Sequence, residues 1–333
     1  MKDKERPYIF RGPFKEYCPK YVEYKRSLGF KYGEAAFYML RYMDDFFIKY
    51  HMDSASLFLT KEMVEEYVAL RGNESIKTQH MRMSLIRQFA LFMNRLGFDF
   101  YVYPETELVQ VKSNFAPYIF TREEIQRLIG VLDAIEFNPR SRNYHLIYPM
   151  LFRMLYGCGL RINEALSIKM YNIDLCHGYL LLEGTKNSTA RLVPMSASLT
   201  QYCSWYVKQM GFSQSYDGYY YPSRDGGRYN STPVYLQFRK FMKQAGIYKE
   251  DGKTPRVHDI RHTFAVHSLE KMVSEGRDIY CALPILSTYL GHKGIESTEK
   301  YLRMTSEAYE SVLETVADFY QDIFPEVSNN DEE

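Results

Sequence analysis

IKMYNIDLCHGYLLLEGTKNSTARLVPM, residues 168–195, is where the chain changes its period. GYLLLEG and ARLVPM are short apolar runs on either side of a Lys-Asn-Ser-Thr turn, and Gly178 marks an earlier turn, so the stretch predicts strands joined by a hairpin. Helical spacing precedes it and resumes from Val234. The expected fold is therefore mostly α, with one small antiparallel β-sheet in the second of two domains. Upstream, Thr121 followed by Glu123 and Glu124 opens a helix, with a threonine cap and acids in the positive first turn. The boundary falls in YVYPETELVQVKSNFAP, residues 101–117, which carries two prolines and no sustained period.

The first domain reads as helical over residues 15–102, after an N-terminal extension of residues 1–14 and before a linker at 103–116. Met81, Leu85, Phe89, Phe92 and Leu96 recur at helical steps as one apolar face, which Gly97 ends. Lys77, Arg82, Arg87 and Arg95 lie off that stripe, on a face that either meets solvent or contacts phosphate. Near the C-terminus, Val312, Val316, Phe319 and Ile323 recur at near-helical spacing, predicting a helix over 306–327 before an acidic tail at 328–333.

The 333 residues hold 42 Lys and Arg against 41 Asp and Glu, a net charge of +1. Residues 318–333 contain six acids and no base, so +1 for the whole and −6 for this segment leave a body at +7. That excess permits a nucleic-acid partner without requiring one. With 46% hydrophobic and 25% charged residues the composition is that of a folded globular chain, and no apolar run is long enough for a membrane span. The charged start, MKDKERPYIF, lacks a signal-peptide core. Five scattered cysteines without metal-like pairing fit a reduced, cytoplasmic setting.

Four segments of the second domain carry candidate chemistry. In YGCGLRINEALSI, Arg161 follows a glycine turn and Glu164 lies three residues on, on the same face; alone this is an ordinary surface pair. Lys186 sits at the hairpin tip, where a turn lysine is usually solvated. In VHDIRHTFAVH, His258, Arg261 and His262 share a helix face. The His pair invites a zinc reading, but Asp-Ile-Arg separates them where a metalloprotease helix would carry a glutamate, and an arginine on that face repels a cation. In YLGHKGIESTEKYLRMT, His292 precedes Tyr301, one of 31 tyrosines that would in isolation be core. Together, two arginines, a lysine, two histidines and a tyrosine, without a carboxylate dyad or metal set, suit displacement at a phosphodiester. Guanidinium groups hold the non-bridging oxygens, a phenol attacks, and Lys or His moves protons.

The ordered set GLRINEAL, GTKNSTARLVP, HDIRHTFA and LGHKGIESTEKY resembles the tyrosine recombinases, or phage integrases, over roughly residues 117–305. The resemblance implies a catalytic domain at 117–305, a helical core-binding (SAM-like) domain at 15–102, and a two-domain clamp on duplex DNA. It implies Tyr301 as nucleophile forming a 3′-phosphotyrosyl link, Arg161 and Arg261 on the phosphate, and Lys186 as general acid. His258 and His292 would assist, with Glu164 behind Arg161. Lys77, Arg82 and Arg87 would contact DNA. It further implies no metal and no cofactor, since bond energy is retained through the phosphotyrosyl ester. The implied partners are DNA with inverted half-sites, a dimer on each site and a tetramer in the synapse docked through the 306–327 helix, with room for accessory DNA-bending proteins. The short extension leaves no arm-binding domain. A type IB topoisomerase and a non-catalytic architectural DNA-binding factor stand as alternatives.

Overall fold

The computed structural model describes residues 9–30, 32–53, 56–111, 116–141, 143–183, 190–213, 215–291, 298 and 301. Lys186, His292, the expected helix at 306–327 and the tail at 328–333 lie outside them. The chain divides into two compact units, residues 1–115 and 116–333.

The first unit contains helices α1 (Tyr17–Ser27), α2 (Glu34–Phe46), α3 (Lys61–Val68) and α4 (Ile76–Arg95), with strands β1 (Phe58–Leu59) and β2 (Asp99–Phe100) paired in parallel. Its core is aromatic: the Phe14 ring lies 5.4 Å from those of Phe47 and Phe89 and 5.6 Å from that of Phe100. Residues 10–14, expected as part of an extension, are thus built into the core. The buried Asp44 carboxylate fixes them, accepting from the backbone N–H of Gly12 at 2.7 Å and of Phe14 at 2.8 Å.

Helix α4 is rotated from the expected stripe. Its buried positions are Gln79, Arg82, Met83, Leu85, Ile86, Phe89, Ala90, Phe92 and Met93, whereas Met81 and Leu96 at the ends of the expected face are exposed. The inward arc is wide because two polar residues in it cap a neighbouring helix. Gln79 donates to the Val68 carbonyl at 3.0 Å, and Arg82 donates to the carbonyls of Tyr67 and Ala69 at the C-terminal end of α3. Cations and donors belong at such an end, where carbonyls lack helical partners. Arg82 is also bonded to Glu74, at 2.7 Å through Nε and 2.5 Å through a terminal nitrogen. The expectation that Arg82 meets phosphate is corrected: at 3% exposure it is an internal brace.

The second unit contains α5 (Arg122–Asp133), α6 (Tyr144–Gly157), α7 (Ile162–Ala165), the strands β3 (Ile173–Asp174), β4 (Tyr179–Leu182) and β5 (Arg191–Pro194), then α8 (Ala197–Met210), α9 (Ser231–Gln244), α10 (Val257–Ser274) and α11 (Ile279–Leu290). The three strands form an antiparallel meander with Leu180 opposite Val193 and Leu182 opposite Arg191. Thr121 caps α5 in a reciprocal box with Glu124, at 3.2 and 3.0 Å. Helix α10 is buried on most of its circumference, carrying Asp259, Arg261, His262 and Thr263 inward beside Ile260, Ala265, Val266 and Leu269. Polar groups so placed need partners, and those partners make the site. All five cysteines are unpaired. Among the described residues no helix is long and apolar enough to cross a membrane.

Candidate active site

Arg161 ends an extended segment and starts α7. The Glu164 carboxylate turns back to accept from the Arg161 backbone N–H at 3.0 Å and from its guanidinium at 2.7 Å. This makes Glu164 a cap and a counter-ion at once, as the three-residue spacing allows. The same carboxylate accepts from Arg191 at 2.9 and 3.3 Å, and Arg261 lies 3.7 Å away. One carboxylate therefore sits among three guanidiniums. Burial opposes its charge, but hydrogen bonds from Arg191 and from the Arg161 backbone outweigh that and hold its pKa down at about 2.

Arg261 is 2% exposed and donates to the carbonyls of Gly159, at 2.7 Å, and Leu290, at 2.6 Å. It spans the turn before Arg161 and the C-terminal end of α11. Burial, then the charge of Arg161, lowers its pKa to about 9, which leaves it a cation at neutral pH. Gly159 has φ +57°, and a Cβ there would lie 2.3 Å from a ring carbon of Phe264, so glycine is required by both backbone and space.

His258 and His262 occupy successive turns of α10, their rings 4.8 Å apart and nearly perpendicular. Burial of the His258 ring, and then the positive charges of Arg261, Arg256 and Arg161, push its pKa down to about 4, although the residue keeps a solvent-exposed face. The ring is thus neutral near pH 7. Beside it lies a cavity of 740 Å³ lined by Arg239, Lys243, Lys249, Lys253 and Arg256. Tyr301 is 1% exposed and its hydroxyl lies 2.9 Å from Nδ1 of His262. Burial raises the Tyr301 pKa, partly offset by Arg261 and Arg161. The phenol is accordingly neutral at physiological pH and needs a base before it can attack.

Of the expected site residues, the structure brings together Arg161, Glu164, Arg261 and His258, with Tyr301 joined to their helix through His262. Among the described residues there is no group of three or more His, Cys, Asp or Glu side chains placed to hold a metal. In the first unit Lys77 is exposed, while Arg87 donates to the Tyr103 carbonyl and to Glu105, each at 3.0 Å. Sequence reasoning missed Arg191. Strand alternation was the available signal, because Arg191 lies two residues before buried Val193 and across from buried Leu182. Its Nε also donates to the Tyr289 carbonyl at 3.0 Å, and the Tyr289 hydroxyl donates to the Pro194 carbonyl at 3.1 Å, which ties the sheet to α11.

The sequence profile described as the phage integrase family matches residues 119–308. A Sinorhizobium fredii protein, y4rB, named as an integrase/recombinase, is 28% identical over 316 residues, covering 93% of this chain and 98% of its own. The tyrosine recombinase XerC of Chlamydia caviae is 28% identical over 259 residues, 75% of each chain. Among solved structures, the Tn1549 transposon integrase in complex with transposon right end DNA has a TM-score of 0.60 at 15% identity, covering 90% of this chain and 99% of that one. A lambda integrase dimer bound to a COC′ core site has a TM-score of 0.58 at 14% identity, covering 86% and 76%. At these identities the structural likeness speaks for the fold. The family profile spans more than half of the chain and contains the whole arginine, histidine and tyrosine cluster, and on that ground the chain belongs to the phage integrase family of tyrosine recombinases.

Proposed function

We propose that this chain is a site-specific recombinase that cleaves and rejoins duplex DNA through a 3′-phosphotyrosyl intermediate on Tyr301, in the integration, excision or resolution of a DNA element. The observation that carries the reading is the joining of a buried phenol, through His262, to the helix that bears Arg261 beside Arg161. A phosphodiester undergoing displacement concentrates charge on its non-bridging oxygens, and fixed guanidinium donors stabilise that charge more than they stabilise the ground state. Glu164 and the carbonyls of Gly159 and Leu290 hold the arginines in place before DNA arrives, so little reorganisation is needed during the reaction.

In this reading Arg161 and Arg261 bind the scissile phosphate, and Lys186 protonates the departing 5′-oxygen. His258, held neutral, and His292 help to position the phosphate oxygens. The basic cavity beside His258 receives the flanking backbone, with Lys77 and Arg87 contacting phosphates from the first unit. Because Tyr301 is buried, DNA binding has to uncover its hydroxyl. Structural neighbours include a XerH recombinase on a palindromic difH substrate, the Tn1549 integrase on transposon end DNA and a lambda integrase dimer on a core site, and that supports a duplex partner with inverted half-sites. Assembly into a tetramer through residues 306–327 completes the proposal.

The test is a set of nicked duplexes tiled across the DNA flanking the chain's own gene, resolved on a denaturing gel. The wild type is expected to form a covalent adduct on a subset of them, and Tyr301→Phe to bind the same duplexes without forming one. An adduct with Tyr301→Phe, or none with the wild type, overturns the reading. Supercoil relaxation by a monomer without site preference would replace recombination with a topoisomerase role.

A further inference from the structure

Among the described residues, His262 contacts the proposed nucleophile and has no task in the phosphodiester reading. It is 6% exposed, lies in the second turn of α10, and its Nδ1 is 2.9 Å from the Tyr301 hydroxyl. The family resemblance assigns proton movement and oxygen positioning to His258 and His292 together, and His258 lies one turn before His262 on α10. Its ring packs edge-on against His262. Geometry comes first in assigning a base, because a proton moves only across hydrogen-bond distance.

We propose that His262 is the catalytic base for Tyr301. In its Nε2–H tautomer, neutral His262 offers the Nδ1 lone pair to the phenol. As the Tyr301 oxygen bonds to phosphorus, its proton passes to Nδ1 and the bond from phosphorus to the 5′-oxygen breaks. The 5′-oxygen takes a proton from the general acid. In religation the 5′-hydroxyl attacks the phosphotyrosyl ester, and the leaving Tyr301 oxygen recovers its proton from His262. Atoms and charge balance in both directions without a further reactant.

The surroundings suit this cycle. Among the described residues, the groups facing the pair include His258 and Arg261 from α10 and Arg161 from the start of α7. Two guanidiniums near the phenol, Arg261 and Arg161, stabilise the developing phenolate. Their charge is partly offset by Glu164, which is paired with Arg161 at 2.7 Å and lies 3.7 Å from Arg261.

The inference rests on the proposed phosphotyrosyl chemistry, so its test separates the two. Wild type, Tyr301→Phe and His262→Gln are compared on the tiled nicked duplexes, with cleavage rates taken from pH 6 to 10. Wild-type adducts absent in Tyr301→Phe establish the chemistry. His262→Gln, which keeps a polar side chain of similar reach, is then expected to bind DNA normally and to cleave roughly 10²–10⁴-fold more slowly at pH 7. Its rate should climb about tenfold per pH unit where the wild type is flat, since the phenol must then ionise unaided. A substrate with sulfur as the 5′ leaving atom needs no general acid and should not restore His262→Gln.

Cleavage by His262→Gln at or above the wild-type rate makes the contact a resting latch and overturns the proposal. So does full rescue by the sulfur substrate, or a slow rate with an unchanged pH profile. Should the variant fail to fold, ring-¹⁵N histidine spectra of the wild type decide. Nδ1 of His262 is expected to be unprotonated at pH 7 and to shift in Tyr301→Phe; a protonated Nδ1 excludes it as the base.

Discussion

Glu164→Gln removes a carboxylate shared by three guanidiniums while keeping the side chain's shape. Glu164 is 6% exposed at its side chain, and the arginines it faces are 25% (Arg161), 9% (Arg191) and 2% (Arg261) exposed. A neutral amide leaves three cations in largely dry surroundings, and breaking a buried pair in this way costs about 3–5 kcal/mol. The carboxylate's own titration gives a similar figure: a fall from the ordinary value of 4.5 to about 2 corresponds to about 3 kcal/mol. For a unit of this size that lowers Tm by roughly 6–20 °C. The sign of the pH dependence follows from the direction of the shift. A depressed folded pKa means the stabilisation is complete above 4.5 and is lost as pH falls toward 2. At pH 4 about 0.8 kcal/mol of it is already gone, so the gap between wild type and Glu164→Gln should narrow from pH 7 to pH 4. Thermal unfolding of both proteins, followed by tyrosine fluorescence and circular dichroism, measures this. A gap under 2 °C at pH 7, or one that widens in acid, refutes the account of Glu164 as the counter-ion of the cluster.

Arg82→Ala should lower the Tm of the first unit through loss of a buried pair worth about 3–5 kcal/mol, yet leave the salt dependence of DNA binding by folded protein unchanged. Lys77→Ala should leave Tm within about 1 °C and reduce the salt slope by about one, read from binding isotherms at several salt concentrations. Gly159→Ala forces a left-handed backbone on alanine and drives its methyl into Phe264, at a cost of about 2–4 kcal/mol in denaturant titrations, with loss of adduct formation because the Gly159 carbonyl holds Arg261. His258 has a lowered folded pKa, so the stability it contributes is present above 6.5 and lost as pH falls toward 4. His258→Gln should therefore flatten the decline of Tm between pH 6.5 and 4, and parallel declines would contradict the neutral assignment.

Local rules carried a large part of the fold. The hairpin was legible because its two apolar runs are short and separated by turn residues, and Thr121 with Glu124 announced α5 by a spacing that needs no tertiary information. Arg161 and Glu164 were legible for the same reason, being three residues apart. Arg82 was misread because an arginine one place off an apolar stripe resembles a solvated cation; only the end of α3, fifteen residues earlier in sequence at Tyr67, makes its burial favourable. The contact of His262 with Tyr301 spans 39 residues and that of Arg191 with Tyr289 spans 98, distances over which no local pattern reports pairing. Family resemblance supplied the proposed nucleophile, but not its hydrogen-bond partner.

The central claim is that one particular tyrosine among 31 carries the DNA. The most direct measurement is tandem mass spectrometry of the wild-type adduct after nuclease trimming and proteolysis. The account predicts a nucleotide phosphate on the peptide containing Tyr301, with fragment ions that place the added mass on that phenol. The same mass on another tyrosine, or on a serine or histidine, would contradict it.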